Sequence, residues 1–266
     1  MDFQVSGLYV YPIKSLGGIS LTSAPLTATG FRYDRYWMLI DKHQRCLTQR
    51  EVPRMALMDV IMHTEGVTVR YAGEEIDLPF ATTGLSSIQV YLWKEPLLAL
   101  READIYQRWF SEKLAVEATL VRVNPSQSRP VKNAPQSSTL FTEGHQYLLH
   151  GQSALEELNG KLSQPIRMNR FRPNIVFTGG TPSVEDQWDE LRIGPAHFKV
   201  TDPCYKCKLI NVDQEHGTAG PEPIRTLASY RFWDKNIWLG VYLKLLSEAG
   251  ATISVGDEMA VVKVKR

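Results

Sequence analysis

Short segments in which hydrophobic and polar positions alternate recur along most of the chain. Residues 3–12, 35–40 and 87–93 are segments of this kind and are rich in β-branched and aromatic side chains. A period of two residues with this composition is typical of β-strands that bury one face. Further predicted strands are 19–21, 46–49, 55–62, 67–71, 76–78, 119–123, 174–178, 190–193, 198–201, 209–212, 238–246, 252–255 and 259–264.

Three segments predict helices instead. Apolar residues recur at helical spacing over 102–114, as in Tyr106, Phe110 and Leu114. Residues 153–159 begin with Ser153 and carry Glu156 three positions later, which is a capping-box pattern. Residues 223–230 open on a proline, which suits the first turn of a helix. Residues 124–138 carry three prolines and predict a long loop.

The pattern as a whole predicts a mainly β chain with a few helices, of the α+β class. No predicted strand is followed by a glycine-rich phosphate-binding turn and a helix, which argues against a nucleotide-binding doubly wound sheet. Frequent turns between short strands favour a β-barrel or barrel-like fold.

The composition and charge of the chain limit the functions that we expect it to have. The 266 residues are 43% hydrophobic and 22% charged, which is typical of a globular protein. The net charge of +1 argues against binding of a nucleic-acid duplex. The sequence has no apolar run of the ~18–20 residues that a membrane helix needs, and its first residues do not resemble a signal peptide. We therefore expect no membrane association and a cytoplasmic location.

Cys204 and Cys207 stand three residues apart behind Pro203, and they are two of only three cysteines. The pair permits three interpretations: a structural zinc site completed by His197 and His216, a redox pair, or two packed thiols. Because the 209–212 segment is β-type, a redox pair that opens a helix is disfavoured. Lys206 next to Cys207 could favour the thiolate, which is the form that binds a soft metal.

Basic and amide side chains stand at the ends of several predicted strands. Lys14 and Ser15 follow the first strand, Arg35 opens the third, and Arg172 lies two residues before Asn174. Lysine and arginine suit phosphate, and an asparagine amide suits the edge of a heterocycle. Each of these residues alone also fits an ordinary structural ion pair.

Two further places could carry chemistry. Glu143, Gly144 and His145 form a predicted turn in which the glycine permits close approach of a ligand to the backbone. Arg50 is a candidate either for the site or for an ion pair that supports it.

Five motifs in order carry a family resemblance: Tyr-Pro-Ile-Lys-Ser at 11–15, Asp-Arg-Tyr-Trp at 34–37, Phe-Arg-Pro-Asn-Ile at 171–175, Pro-Cys-x-x-Cys at 203–207 and Val-Gly-Asp-Glu at 255–258. The chain resembles MOSC-domain proteins with an N-terminal MOSC-type β-barrel domain. Within them it is similar to the mitochondrial amidoxime-reducing component and its bacterial relatives that lack a C-terminal ferredoxin domain. The resemblance implies an N-terminal β-barrel-like domain at 1–100 and a MOSC domain at 101–266.

The resemblance also implies a molybdenum cofactor, in which the metal is held by the dithiolene of a phosphorylated pterin. Cys207 falls on the position of the metal ligand and is the expected catalytic centre, with Glu143 and His145 as candidates for proton transfer. The positions implied to contact the cofactor are Lys14, Ser15, Arg35, Gly144, His145, Arg172, Asn174, Tyr205 and Lys206.

The expected reaction is reduction of small N-hydroxylated compounds such as amidoximes, hydroxylamines and N-hydroxylated bases. The cysteines are too few for an iron–sulfur cluster beside the metal ligand, so a separate electron-donor protein is expected, of the ferredoxin, cytochrome b5 or flavoprotein type. The alternative is a sulfur-carrier or cofactor-handling protein in which a cysteine carries a persulfide.

Overall fold

The computed structural model describes residues 2–127 and 129–265 and consists mainly of strands. The strands of the first half are β1 Phe3–Val10, β2 Ile19–Leu21, β3 Ser23–Thr27, β4 Gly30–Phe31, β5 Trp37–Ile40, β6 Asp59–Met62, β7 Gly66–Tyr71, β8 Glu74–Pro79, β9 Ser87–Leu92, β10 Glu95–Arg101 and β11 Thr119–Val123. Those of the second half are β12 Arg129–Val131, β13 Ala134–Thr139, β14 Tyr147–Gly151, β15 Ile175–Thr178, β16 Trp188–Ile193, β17 Ala196–Tyr205, β18 Phe232–Trp233, β19 Asn236–Leu245, β20 Thr252–Ser254 and β21 Glu258–Val264.

Short helices connect these strands. The α-helices are α1 Asp104–Leu114, α2 Gln152–Asn159 and α3 Ile224–Ala228. Single 3-10 turns occupy Pro53–Leu57, Met168–Phe171, Val184–Gln187 and Lys208–Asn211. In the described part of the chain, none of these helices has the length and apolar character needed to span a bilayer.

Seven strands close into a barrel in the order β14, β15, β1, β21, β16, β17 and β19, and β19 pairs back to β14. The β14–β15 pair is parallel, and its neighbours in the ring are antiparallel. Alternate residues point inward and are fully buried, among them Leu8, Phe177, Leu191, Phe198 and Leu243. Burial of each such side chain contributes roughly 1.5–3 kcal/mol, so this interior dominates the stability of the barrel.

A second core lies between strands β5 and β11, helix α1 and the meander β6-β7-β8. Trp37, Met55, Val69 and Phe110 are buried there, and Phe110 comes from the apolar face of α1. The Trp37 indole donates to Glu102 at 2.7 Å, so its polar edge is satisfied inside the core. The fold class predicted from the sequence, a mainly β chain with a barrel and a few helices, is confirmed.

The first half of the chain contributes strands to both the barrel and the second core. Strand β1 belongs to the barrel, whereas β5 pairs with β11, which follows α1. The loop between β1 and β2 crosses from one core to the other, and Ile13 bridges Trp37 there. This loop contains Lys14 and Ser15. The division of the chain at 100/101 stays a prediction.

Several local predictions were wrong. Residues 209–211 form no strand but belong to the 3-10 turn Lys208–Asn211, because Ile210 packs into a cluster with α2, and Val212 forms only an isolated bridge with Ala219. The strand that carries the cysteines precedes them, since β17 ends at Tyr205. Of the predicted strand 55–62, only the last four residues are extended.

The predicted loop at 124–138 contains the hairpin β12–β13, whose turn places Asn133 at φ 58°. The capping box is also wrong. Helix α2 begins after Gly151, and the Ser153 hydroxyl is buried without a hydrogen-bond partner among the described residues. Hydroxyl placement of this kind depends on the tertiary surroundings rather than on the local sequence.

Candidate functional site

A cleft opens where the loop after β1, the turn before β14, the turn before β15 and the end of β17 meet. All of the predicted site residues except Gly144 line it. The side chains around it include five cations and one carboxylate: Lys14, Arg35, Arg50, Arg172, Lys206 and Glu143. A cleft with this excess of positive charge attracts and holds anions.

Arg172 forms the inner wall of the cleft. It follows the 3-10 turn Met168–Phe171, and its guanidinium is buried, with Nη1 donating to the Leu16 carbonyl at 2.7 Å. The second terminal nitrogen, Nη2, is buried without a partner among the described residues. Burial lowers the pKa of Arg172 to about 10, so it remains charged near neutral pH. A buried charged donor without an acceptor points to an anionic ligand.

Asp34 organises the residues behind that wall. Its buried carboxylate accepts from the Tyr11 amide at 2.8 Å, from Arg35 Nη1 at 2.5 Å and from Asn174 Nδ2 at 3.1 Å. Arg35 Nη2 in turn donates to the Arg172 carbonyl at 3.1 Å. The network ties the segment before β5 to the turn before β15. Asn174 therefore lines the cleft, but its amide is engaged within the protein.

Three residues that line this cleft have a strained backbone. Ser15, Arg35 and Arg172 have φ angles of 69°, 50° and 54°, in the left-handed region that residues with side chains seldom adopt. Gly144 has a φ of 90° and supplies a turn that suits glycine. Clustering of such residues is characteristic of functional sites.

Lys14, Glu143 and Trp93 form a chain across the mouth of the cleft. Lys14 Nζ lies 2.6 Å from Glu143 Oε1 and donates to the Phe141 carbonyl at 3.0 Å. The other oxygen of Glu143 accepts from the Trp93 indole at 3.0 Å. Burial alone would raise the pKa of Glu143, but Lys14 and then the nearby arginines outweigh it, so the pKa is lowered. Glu143 is therefore a carboxylate near neutral pH.

The two cysteines have different surroundings. Cys204 is buried, and Lys206 Nζ lies 3.2 Å from its sulfur. Cys207 is half-buried, and Arg50 Nη1 lies 3.7 Å from its sulfur. Lys206 follows β17 and directs its ammonium group to the Cys204 sulfur, so the charge that was expected beside Cys207 lies at Cys204. Arg50 supplies the positive charge at Cys207 instead.

His145 forms part of the cleft beside Tyr242. The two rings stack at 3.9 Å between centroids, and His145 Nδ1 lies 3.4 Å from the Thr201 hydroxyl. Burial, together with the nearby Lys132, lowers the pKa of His145 to about 4. The imidazole is therefore neutral at neutral pH. Its Nδ1 lies 3.8 Å from Asp202 Oδ2, but the two residues form no salt bridge in this protonation state.

Gly144 and Tyr205 lie at the edge. The Gly144 carbonyl accepts from the Lys132 amide at 2.8 Å, so the glycine helps to build the turn without lining the cleft. Tyr205 is 49% exposed at the opening. Trp93 and Tyr242 were not predicted from the sequence. Trp93 is the first residue of the two-residue turn between β9 and β10, a position where a tryptophan is unusual.

The zinc interpretation finds no support in the geometry. Within residues 2–127 and 129–265, no group of three or more His, Cys, Asp or Glu side chains could hold a metal ion. His197 pairs with Glu190 at 3.1 Å near the start of β17, seven residues from Cys204 along an extended strand. His216 pairs with Asp213 at 3.0 Å in a separate turn.

Comparison with known families agrees with this fold. A model of the MOSC N-terminal beta barrel domain matches residues 2–117, and a model of the MOSC domain matches residues 136–260. The chain belongs to the MOSC-domain proteins that carry an N-terminal MOSC beta barrel domain.

Relatives of two kinds are similar over most of the chain. Mitochondrial amidoxime-reducing component 1 of mouse is 30% identical, with 95% of this chain and 80% of the relative covered. Its human counterpart is 30% identical, with 95% and 81% covered. The molybdenum cofactor sulfurase of rice is 31% identical over 91% of this chain, but the chain spans only 32% of the sulfurase.

The residues present fit a phosphorylated, sulfur-bound molybdenum cofactor. The unpartnered buried Nη2 of Arg172 offers a donor to a phosphate, and Lys14 and Arg35 lie on the same cleft. The half-buried Cys207 sulfur offers the soft ligand that molybdenum would need. Asn174 fits less well than expected, since its amide donors already bind the Tyr9 carbonyl and Asp34.

Proposed function

We propose that the protein is a molybdenum-cofactor-dependent oxidoreductase that reduces small N-hydroxylated compounds. The observation that carries the proposal is one cleft that combines a half-buried thiol, Cys207, with a buried unpartnered guanidinium, Arg172. A phosphorylated cofactor whose metal accepts sulfur requires both groups. Similarity to amidoxime-reducing components over nearly the whole chain supports the same function.

In this proposal the ends of the cleft have separate roles. Arg172 would bind the phosphate at the inner wall, Lys14 would add positive charge from the mouth of the cleft, and Asp34 keeps Arg35 oriented toward the inner end. Cys207 would hold the metal at the opening, where Arg50 Nη1 lies 3.7 Å from the sulfur. The bound cofactor would supply the two-electron abstraction of oxygen from the N–O bond.

Protons for the departing oxygen must be carried by side chains or water. Glu143 is a carboxylate near neutral pH, because Lys14 and the arginines lower its pKa, so it accepts protons from solvent rather than storing one. Burial lowers the pKa of His145 to about 4, so its imidazole is neutral near neutral pH. A neutral imidazole relays a proton by accepting one at its bare nitrogen and releasing the one on its other nitrogen. Both residues line the cleft that holds Cys207.

Electrons come from a separate donor protein in this proposal. Cys207 is half-buried and Tyr205 is 49% exposed, so the metal end of the cleft faces the protein surface. A donor that docks over this opening needs no large movement of the chain to approach the metal.

The reaction is tested with protein produced in a host that makes the cofactor. Molybdenum-loaded protein, an N-hydroxylated purine and reduced viologen as donor are mixed, and formation of the amine is followed by chromatography. We expect amine formation by the wild type and by Cys204→Ser, and none by Cys207→Ser. A loaded wild-type protein that forms no reduced product from N-hydroxylated purines, amidoximes or hydroxylamines would contradict the proposal.

A sulfur-handling function is the second candidate, because the rice molybdenum cofactor sulfurase is similar over 91% of this chain. In that case Cys207, the more accessible thiol of the pair, would carry the persulfide. Purified protein that lacks molybdenum and releases sulfide on reduction, with the sulfide lost in Cys207→Ser, would favour this candidate over the reductase.

A further inference from the structure

Trp93 occupies a backbone position that ordinarily belongs to a smaller residue. Strands β9 and β10 pair Leu92 with Glu95, which leaves Trp93 and Lys94 as a two-residue turn. Trp93 has a φ of 61°. Glycine, asparagine or aspartate usually fill such turn positions, because a bulky side chain is strained there. A tryptophan at this position suggests that the side chain itself is needed.

The Trp93 side chain lies in the cleft rather than in a core. It is 42% exposed and lines the opening together with Cys207. Its indole nitrogen is fixed by Glu143 at 3.0 Å, and the Arg50 guanidinium lies over its ring at 4.2 Å from the centroid. These two contacts hold the indole ring in one orientation although the side chain is largely exposed to solvent.

Arg50 also connects the ring to the reactive sulfur. The guanidinium that covers Trp93 lies 3.7 Å from Cys207, so the ring stands one side chain away from the sulfur. A substrate whose reacting group lies beside Cys207 and whose body extends toward Trp93 places its remaining atoms against the exposed part of the indole. Flat conjugated groups stack on such a ring, whereas short aliphatic groups gain little from it.

We infer that Trp93 is a specificity-determining residue that selects substrates with a planar, conjugated body over small aliphatic hydroxylamines. The inference rests on the proposed reductase function, and it assigns to that site a residue that contacts the substrate away from the reacting atoms. The indole acts as a stacking platform, Glu143 fixes its edge, and Arg50 fixes its face.

The experiment compares Trp93→Gly and Trp93→Phe in molybdenum-loaded protein. Glycine removes the ring and suits the left-handed backbone, so the turn is retained. Phenylalanine keeps a stacking face but loses the hydrogen bond to Glu143. The matched control is Trp233→Leu, because Trp233 is also an exposed hairpin tryptophan, at 38%, but lies outside the cleft lining.

The two substrates are 6-hydroxylaminopurine and N-methylhydroxylamine, with reduced viologen as donor. In Trp93→Gly we expect KM for the purine to rise roughly tenfold or more, as loss of one stacking contact predicts. Its kcat, and both constants for N-methylhydroxylamine, should change by no more than about threefold. The KM and kcat values of Trp93→Phe should be close to those of the wild type, and those of Trp233→Leu should be indistinguishable from them. Equal losses for both substrates in Trp93→Gly, or no loss for either, would overturn the inference.

A second readout needs no turnover. Binding of adenine, the amine product, to the same proteins is measured by calorimetry. We expect binding to the wild type and to Trp233→Leu, and roughly tenfold weaker binding to Trp93→Gly. If the wild type binds adenine in this way but reduces neither substrate, the reductase proposal fails while the stacking platform stands. Equal binding by Trp93→Gly, or no binding by the wild type, would refute the platform.

Discussion

The inner wall and the rim of the cleft are built in different ways. The inner group, which we define as Asp34, Arg35, His145, Arg172 and Asn174, is mostly buried and cross-linked by hydrogen bonds. The rim group is Arg50, Trp93, Glu143, Tyr205 and Cys207, and its members are half-buried or exposed. The inner group joins the segment before β5 to the barrel, so its residues affect both folding and binding. Because the rim residues are half-buried or exposed, we expect substitutions there to affect folding little.

The largest effect is expected from Asp34→Ala. This change removes the acceptor for Arg35, Asn174 and the Tyr11 amide inside the protein. Loss of one partner from a buried ion pair costs about 3–5 kcal/mol. Urea unfolding measures this cost, and Glu75→Ala is the control, because it breaks the exposed pair with Arg70 and should cost less than about 1 kcal/mol. Equal losses of unfolding free energy in the two variants would show that the buried network around Asp34 stabilises the protein no more than an exposed ion pair does.

Arg172→Ala should affect both stability and cofactor content. The Leu16 carbonyl loses its donor, which costs about 1–3 kcal/mol in the free energy of unfolding. The unpartnered Nη2 is lost as well, so molybdenum content after purification should fall by more than half. Arg172→Lys keeps the charge and should retain more cofactor than the alanine variant. Full molybdenum content in Arg172→Ala would show that this guanidinium does not bind the phosphate.

Acid should destabilise the protein through His145. Burial lowers its pKa in the folded state to about 4, below its ordinary value, so the unfolded chain binds the proton more readily. Stability is therefore lost as pH falls from 7 toward 4, by about 2 kcal/mol at pH 5 for this residue. His145→Phe keeps the stacking on Tyr242 and should flatten the decline in unfolding free energy between pH 7 and pH 5. An equally steep decline in the variant would assign the acid sensitivity to other groups, such as His150.

The smallest effect on folding is expected at the rim. Glu143→Gln exchanges one exposed partner of Lys14, so unfolding free energy should change by less than about 1 kcal/mol. The cleft becomes more positive, so cofactor-free protein should bind inorganic phosphate more tightly. Glu95→Gln is the matched control, because Glu95 is similarly exposed, at 44%, but pairs with Arg129 outside the cleft lining. Similar phosphate affinity in all three proteins would show that Glu143 does not compete for Lys14.

The sequence was most informative where local pattern and tertiary structure agree. Alternation identified the barrel strands because their buried faces follow a period of two. It failed at 209–212, since a short apolar run does not separate a strand from a helical turn, and packing of Ile210 against α2 decided the outcome. Lys14, Ser15, Arg35 and Arg172 were candidates by residue type, and the family resemblance placed them at the site. The structure brings them to one cleft, whereas their binding of phosphate stays a prediction.

The partners of these residues could not be found in the same way. Arg50 reaches Cys207 across 157 positions of sequence, and Glu143 reaches Trp93 across 50. Such pairs are set by how the hairpins and loops fold against the barrel, and no local pattern records them. Lys206 shows that adjacency in sequence does not establish a side-chain contact. It directly precedes Cys207, but its ammonium group contacts the sulfur of Cys204.

The most direct test of the site is the molybdenum content of Cys204→Ser and Cys207→Ser, purified from a host that makes the cofactor. Since Cys207 lies at the opening and Cys204 is buried beside Lys206, we expect molybdenum to be lost in Cys207→Ser and kept near the wild-type level in Cys204→Ser. Circular dichroism and thermal unfolding establish that both variants are folded. Wild-type molybdenum content in folded Cys207→Ser, or zinc that is lost in both variants, would contradict the assignment of Cys207 as the metal ligand.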